Sequence, residues 1–463
     1  MSWKTTLTRP NWLRARSQQP NRRRGQLSPA QLIALTYAGG ILLGTLLLSL
    51  PGVYQVGQSL SLIQRLFTAT SAICVTGLVV ADTAETFSIF GQIILLLLIQ
   101  VGGVGIITFG TLFAFLRGRR INFSERMQLA QQVQALDVGG VLPLIRAIFT
   151  YTLVAELIGT LLLWTRFGPE QGTWPGLYSA FFHAVSAYNS AGFVLGDFSR
   201  YVADPLISLT VTALIVLGGL GFLVQLNVLS NIHRPRQNRL LTYTKLTLTI
   251  TGLLLVLGTL LIALTEWHNP KTLGPLPLSG KLLASLFQSA TPRSAGFSTL
   301  HIASMQPASI LVVMILMLIG ASPGSTGGGI KTTTLAVLVG SAWNMVRGRG
   351  ELVVFGRRIE PDIVVRAGTV TTLYAGLLLS ALFVLMATNG HLSFELLLFE
   401  AISAAATVGL SLDVTHQINT AGLLLLTALM YLGRIGPLTF AVAFNLRGNT
   451  AIKYPAERDI PIG

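Results

Sequence analysis

The sequence predicts an all-α polytopic membrane protein of eight transmembrane helices, built as four repeats of helix, short re-entrant loop and helix around one pseudo-fourfold axis. Three observations predict it. Of 463 residues, 51% are hydrophobic and only 11% charged, whereas soluble globular chains carry roughly a quarter charged residues, so most of this chain has lipid for a solvent. Eight apolar runs reach the roughly 20 residues that cross hydrocarbon about 30 Å thick. A short apolar segment ending in glycine recurs between successive pairs of these runs.

The runs fall at about 31–50, 89–116, 143–165, 205–229, 246–265, 308–340, 364–387 and 419–445. The connections between them alternate in charge. One set is basic: Arg9, Arg14, Arg16 and Arg22–Arg24 in the arm, then Arg117, Arg119, Arg120 and Arg126, then Arg234, Arg236, Arg239 and Lys245, then Arg347, Arg349, Arg357, Arg358 and Arg366, and finally Arg447, Lys453 and Arg458. Excess Lys and Arg marks the cytoplasmic side. The other set holds Asp82, Glu85, Asp197, Asp204, Glu266 and Asp413 with few basic residues, as an outer face should. Both termini are therefore expected in the cytoplasm and the protein in the plasma (inner) membrane. The net charge of +15 would suggest nucleic acid in a soluble domain; here it follows membrane orientation, and no nucleic-acid partner is expected.

The repeat is legible residue by residue. The hairpins Leu66–Leu78, Phe181–Phe193, Leu286–Phe297 and Leu398–Leu410 align on a phenylalanine and a glycine. The spacing is ten residues from Phe67 to Gly77, Phe182 to Gly192 and Phe399 to Gly409, and nine from Phe287 to Gly296. A second glycine follows in the next run: Gly102, Gly218, Gly320 and Gly433, at 25, 26, 24 and 24 residues. Enrichment of glycine at helix contacts explains the second glycines alone, but not the registered pair. The expected units are a basic arm (1–30), repeat 1 (31–120), repeat 2 (143–230), repeat 3 (245–342), repeat 4 (364–446) and a cytoplasmic tail (447–463).

Each hairpin has about ten apolar or small residues, too few to cross, so it must enter the bilayer and return. Irregular backbone at that depth survives only where protein buries it or where it lines a watery cavity. Four such loops around one axis supply that cavity, and inward carbonyls can replace the hydration shell of a cation. Glycine suits the narrowest point because it reaches φ > 0 without strain. The helix before each loop would aim its partially negative C-terminal end at the axis, favouring cations.

With CVTGL (74–78), NSAGF (189–193), RSAGF (293–297), ATVGL (406–410), GSTGGGIKT (324–332) and GRIGP (433–437) in place, the chain resembles the Trk/Ktr/HKT superfamily of potassium transporters, most closely the Ktr-type membrane subunit, over residues 30–450. The resemblance implies a helix–pore-loop–helix architecture and a K⁺ selectivity filter at Cys74, Val75, Thr76, Gly77, Asn189, Ser190, Ala191, Gly192, Arg293, Ser294, Ala295, Gly296, Ala406, Thr407, Val408 and Gly409. K⁺ would be cargo bound at those residues, and Na⁺ a possible activator. The four retained glycines imply K⁺ preference, since sodium-preferring plant relatives carry serine in the first loop. It further implies a homodimer on a cytosolic ring of nucleotide-binding regulatory subunits, for which 231–245 and 345–363 are plausible docking loops.

The sixth run is interrupted by Gly320-Ala-Ser-Pro-Gly-Ser-Thr-Gly-Gly-Gly-Ile-Lys331. Each Gly costs about 1 kcal/mol and Pro about 3 relative to Ala, so a helix must break there. The resemblance makes this stretch an intramembrane gate, with Gly324, Ser325, Thr326, Gly327, Gly328, Gly329 and Lys331 as its residues and Arg434 of the last run touching it. A structural alternative for Arg434 is to bond the broken backbone near 324–329. A charge at mid-span costs at least about 2.5–3.5 kcal/mol, so Arg434 must face the bundle interior or water. Lys331 could snorkel to the cytoplasmic face or pair with a phosphate or carboxylate. A P-loop reading fails because Ile330 separates Gly329 from Lys331 and no strand precedes it.

Glu156, inside the third run, is read as an interhelical hydrogen-bond or salt-bridge partner, with a proton relay as the alternative. His183 is read as packing, and Arg293 as anchoring the third loop on outer carboxylates or tuning the filter. One cysteine and no H-E-x-x-H exclude disulfide and zinc frameworks, and no paired aspartates mark a hydrolase. The chain is expected to be no enzyme and to need no covalent cofactor. The alternatives are a sodium-preferring or poorly selective transporter of the same fold, and a secondary transporter of another solute.

Overall fold

A computed structural model of the chain describes residues 28–106, 108, 141–233, 240–348 and 350–444. The arginines of the arm, Arg117 to Arg126, Arg234 to Arg239, Arg349 and the 447–463 tail lie outside the described residues.

The described chain is mostly helix. The principal elements are α1 Pro29–Leu47, α2 Leu62–Cys74, α3 Ile89–Val104, α4 Val141–Gln171, α5 Thr173–Tyr188, α6 Pro205–Leu220, α7 Phe222–His233, α8 Thr242–Glu266, α9 Leu278–Ala290, α10 Pro307–Leu318, α11 Thr332–Val346, α12 Pro361–Thr388, α13 Phe394–Ala405, α14 Thr420–Ile435 and α15 Pro437–Phe444. The strands found, β1 Val353–Val354 and β2 Arg357–Arg358, form a two-residue hairpin between α11 and α12. Its turn residues Phe355 and Gly356 both have positive φ, which matches the right-handed twist of the strands.

Odd and even runs of the sequence fold differently. α1, α4, α8 and α12 are unbroken and each long and apolar enough to cross a membrane. The partners that follow, α3, α6, α10 and α14, are short, at 16, 16, 12 and 16 residues. The expected continuous runs 205–229 and 419–445 are broken, as is the run that starts at 89. The cause is a third glycine, three residues after Gly102, Gly218 and Gly433: Gly105, Gly221 and Gly436 have φ of 96°, 87° and 89° and end their helices. After Gly221 the chain turns 102° into α7. In the third copy Pro323 takes that place, and residues 319–331 are irregular.

Serine starts several of these elements. Ser28 and Ser61 each form a capping box with the glutamine three residues on, satisfying two amide donors at once. The distribution of polarity is inverted relative to a soluble protein. α8 exposes Leu253, Val256, Leu257, Leu260 and Leu264, while Thr70, Ser71, Thr76, Asn189, Ser190, Ser289 and Thr407 are buried. An apolar rim around a polar interior suits a lipid surround.

Candidate functional site

The short helices α2, α5, α9 and α13 have 13, 16, 13 and 12 residues. At 1.5 Å per residue these are about 18–24 Å long, less than a hydrocarbon core. Their aligned phenylalanines, Phe67, Phe182, Phe287 and Phe399, are at most 1% exposed and fix each helix in the core.

The loops after these helices bring Gly77, Gly192, Gly296 and Gly409 into a closed ring. A Cβ on Gly77 would lie 2.5 Å from the Ala191 carbonyl oxygen; on Gly192, 3.0 Å from that of Ala295; on Gly296, 2.6 Å from that of Val408. The Thr76 carbonyl oxygen closes the circle against Gly409, whose Cβ would also lie 2.8 Å from the Gly77 Cα. Each glycine thus faces the carbonyl that precedes the next one. Four backbone carbonyls and four residues without side chains meet at one place, with the C-termini of four helices behind them.

All four glycines have positive φ, between 73° and 92°. A second left-handed residue sits two positions earlier in every loop, and none is glycine: Val75 at 55°, Ser190 at 59°, Ser294 at 68° and Thr407 at 50°. β-Branched residues such as Val75 and Thr407 adopt this conformation only where the surroundings enforce it. The sequence carries no local signal for it.

The second glycines explain their register. A Cβ on Gly102 would collide with the Ile73 carbonyl, on Gly218 with that of Tyr188, and on Gly433 with that of Ala405. These carbonyls lie at the C-terminal ends of α2, α5 and α13, so the missing side chain lets each short helix seat its last turn against the next element of its repeat. In the third repeat Gly320 instead meets the Gly328 carbonyl. The irregular segment occupies that seat.

Residues 326–328 of that segment dock on three of the four loops in order. Thr326 shares a 3.0 Å hydroxyl bond with Ser190 and also donates to the Tyr188 carbonyl. A Cβ on Gly327 would lie 2.7 Å from the Ser294 Cβ, and one on Gly328 would run into the Thr407 hydroxyl. Gly324 and Ser325 complete the turn: the Phe222 amide donates to the Gly324 carbonyl at 3.0 Å, and Ser325 donates to the Ser322 carbonyl at 2.6 Å. Gly329 has φ of 73° and returns the chain to Ile330, which pairs with Ile319.

Two cations hold this segment. Arg434 donates to the Thr326 carbonyl from one guanidinium nitrogen and to the Gly102 carbonyl, 2.5 Å away, from the other. Its Nε reaches the Tyr37 hydroxyl at 3.3 Å. The Nζ of Lys331 donates to the Gly327 carbonyl at 2.7 Å, because the loop folds back over its own last residue. A cavity of about 310 Å³ adjoins the segment, lined by Tyr37, Tyr374, Lys331, Arg434 and Gly327 among others.

Arg293 also departs from expectation. It is 5% exposed and donates to the Thr251 carbonyl and hydroxyl at 3.4 and 3.2 Å, so α8 anchors the third loop in place of outer carboxylates. Cys74 is buried as the last residue of α2, and Ala406 accepts from the Ser294 hydroxyl at 3.2 Å. Asn189 donates to Glu156 at 2.8 Å and to Gln100 at 3.0 Å, tying the second loop to α3 and α4. His183 packs among Phe167, Phe198 and Phe297, and its Nε2 accepts the Leu195 amide at 3.2 Å.

Of the acids expected on the outer face, Glu266 is fully buried and accepts from Asn269, Thr272, Ser309 and the Gln306 amide. Asp197 accepts the Ser199 amide at 2.9 Å, and hydrogen bonding from Ser199 holds its carboxyl below the ordinary value. Glu400, absent from the sequence reading, is buried and receives Ser411 and Thr415 behind the fourth loop.

The family model described as TrkH, cation transport protein, matches residues 40–451. Ktr system potassium uptake protein B of Bacillus subtilis is 39% identical over 432 residues, covering 93% of this chain and 96% of the relative. Potassium/sodium uptake protein NtpJ of Enterococcus hirae is 38% identical over 444 residues, covering 94% and 97%. The crystal structure of the potassium transporter TrkH from Vibrio parahaemolyticus superposes with a TM-score of 0.71 at 18% identity, over 92% of this chain and 87% of that one. The fold is shared.

Proposed function

The chain belongs to the TrkH family of cation transport proteins, whose members are transporters and not enzymes, and on that premise we propose that this potassium uptake transporter passes K⁺ through the ring of Gly77, Gly192, Gly296 and Gly409. The observation that carries the reading is the ring itself, in which each glycine faces the carbonyl of Thr76, Ala191, Ala295 or Val408. Carbonyl oxygens replace the hydration shell of a bare cation, and the C-terminal ends of four helices add negative potential behind them. The alternation of unbroken and broken helices supports four repeats around one pore, at 31–120, 143–230, 245–342 and 364–446, and the alternation of basic and acidic connections in the sequence supports insertion in the plasma membrane with both termini inside.

The segment 320–331 is the gate in this reading. It lies against three of the four loops, and Arg434 and Lys331 place positive charge beside the path of a cation. Its closed position blocks the way past the ring, and transport requires its displacement. A homodimeric unit governed by cytosolic nucleotide-binding subunits, docked on the 231–245 and 345–363 connections, is part of the same proposal and rests on the resemblance of the sequence motifs to the Ktr-type membrane subunit.

A second reading, in which Na⁺ is carried or stimulates uptake, is favoured by likeness to the potassium/sodium uptake protein of Enterococcus hirae. Uptake of radioactive Rb⁺ into proteoliposomes of the full chain, with K⁺, Na⁺ or choline as competitor, separates the two. Competition by K⁺ alone supports K⁺ selectivity, and equal competition by Na⁺ supports the second reading. The Gly77→Ser variant should lose preference for K⁺.

A further inference from the structure

Four residues after each aligned phenylalanine stands a hydroxyl: Ser71, Ser186, Thr291 and Ser403. The missing residue of the third copy therefore falls after the hydroxyl, between Thr291 and Gly296. All four are at most 1% exposed. Their backbone carbonyls accept the amide of the residue that precedes the ring glycine: Thr76 and Ala191 at 2.8 Å, Val408 at 2.9 Å and Ala295 at 3.0 Å.

Their side chains divide into two pairs. The Ser71 hydroxyl accepts the Gly77 amide at 3.0 Å, and the Ser403 hydroxyl accepts the Gly409 amide at 3.1 Å. Ser186 and Thr291 instead donate to the carbonyls of Phe193 and Phe297, one residue beyond the glycine. Among the described residues no hydrogen bond reaches the amides of Gly192 or Gly296. A trans peptide is planar and points its N–H and C=O in opposite directions. Holding the Gly77 amide outward on Ser71 therefore turns the Thr76 carbonyl toward Gly409, and holding the Gly409 amide on Ser403 turns the Val408 carbonyl toward Gly296. The corresponding peptides at Ala191–Gly192 and Ala295–Gly296 have no such restraint.

We propose that Ser71 and Ser403 are specificity-determining positioning residues, which lock two of the four ring carbonyls at the separation K⁺ requires while the other two remain free to adjust. The inference rests on the reading of the ring as the ion path. A cation smaller than K⁺ is rejected when carbonyls cannot close on it, so freeing the locked pair lets the ring follow Na⁺ inward. Neither serine touches the ion; both act through a peptide plane.

The test is ion-dependent thermal protection of the purified full chain, titrated with KCl and with NaCl at constant ionic strength, which reads binding without an open gate. Ser71→Ala and Ser403→Ala should each lower the K⁺-over-Na⁺ affinity ratio about fivefold, the worth of one buried amide hydrogen bond. Ser71→Thr, which keeps a hydroxyl acceptor for the Gly77 amide, should retain the parent ratio. If an alanine variant does not fold, Ser71→Cys, of similar shape and weaker acceptor strength, should give an intermediate ratio. Gly77→Ser run in parallel separates the two ideas. If it abolishes the preference while both serine variants keep the wild-type ratio, the locking role is wrong and the ion path stands. If Gly77→Ser keeps the ratio, the ion path itself is wrong.

Discussion

Arg434 donates to the carbonyl of Thr326 across 108 positions of sequence, and this bond joins α14 to the irregular segment beside the glycine ring. The same guanidinium also holds Gly102 of α3. One side chain thus pins the segment between two helices while Thr326 bonds Ser190 of the second loop.

Replacing Arg434 with alanine removes these charge-assisted donors, each worth about 1.5–3 kcal/mol when paired. Uptake of Rb⁺ into proteoliposomes should rise by roughly tenfold or more, since each 1.4 kcal/mol taken from the closed state is tenfold in its population. Arg434→Lys should fall between, because an ammonium cannot span both carbonyls with a fixed fork. Unchanged or lower rates with Arg434→Ala would contradict the pinning role.

A side chain on Gly327 would meet the Cβ atoms of Ser294 and Ala321 at 2.7 and 2.6 Å. Gly327→Ala should unseat the segment and raise the basal rate with little loss of ion preference. A parallel loss of both would show that the segment builds the ring instead of closing it.

The second glycines predict a contrast in stability. Gly218→Ala drives a Cβ into the Tyr188 carbonyl, whereas Gly368 on α12 has no heavy atom within 4 Å of such a Cβ. Thermal unfolding in detergent should place Gly218→Ala well below the parent. Gly368→Ala should lie at or above it, by up to about 1 kcal/mol of helix propensity. Equal melting temperatures would remove the packing explanation for the registered glycine pairs.

Glu156→Ala orphans the side-chain amide of Gln100 in the membrane interior, at a cost of about 1–3 kcal/mol, and removes one of the acceptors of Asn189, which keeps Gln100 and Val185. Its melting temperature should fall and its uptake with it, because Asn189 opens the second loop. Retention of both would make Glu156 dispensable.

Much of this architecture was legible because the membrane imposes it. Run length separated the crossing helices from the short ones, and the Phe-to-Gly register located the four loops that meet at Gly77, Gly192, Gly296 and Gly409. The breaks in the even-numbered helices are only half visible in the sequence: Gly102, Gly218 and Gly433 stand out by their register with the loop glycines, whereas Gly105, Gly221 and Gly436 three places on are marked as turning residues only by their positive φ. The hydroxyls of Ser71, Ser186, Thr291 and Ser403 have a signal in their constant distance from phenylalanine, although the residue missing before Gly296 breaks their spacing to the ring glycine in the third copy. Nothing local marks Val75 or Thr407 as left-handed, since the surrounding loops enforce it. The turning of Arg293 to Thr251 and of Lys331 onto its own loop depends on which carbonyls the fold leaves open, a property of tertiary packing.

The most direct measurement is anomalous diffraction from crystals of the full chain grown with Rb⁺ or Tl⁺ in place of K⁺. The account predicts a peak inside the ring, within coordinating distance of the carbonyls of Thr76, Ala191, Ala295 and Val408, that weakens when K⁺ is added back. An empty ring at saturating Tl⁺, or ordered cations only elsewhere in the molecule, would contradict it.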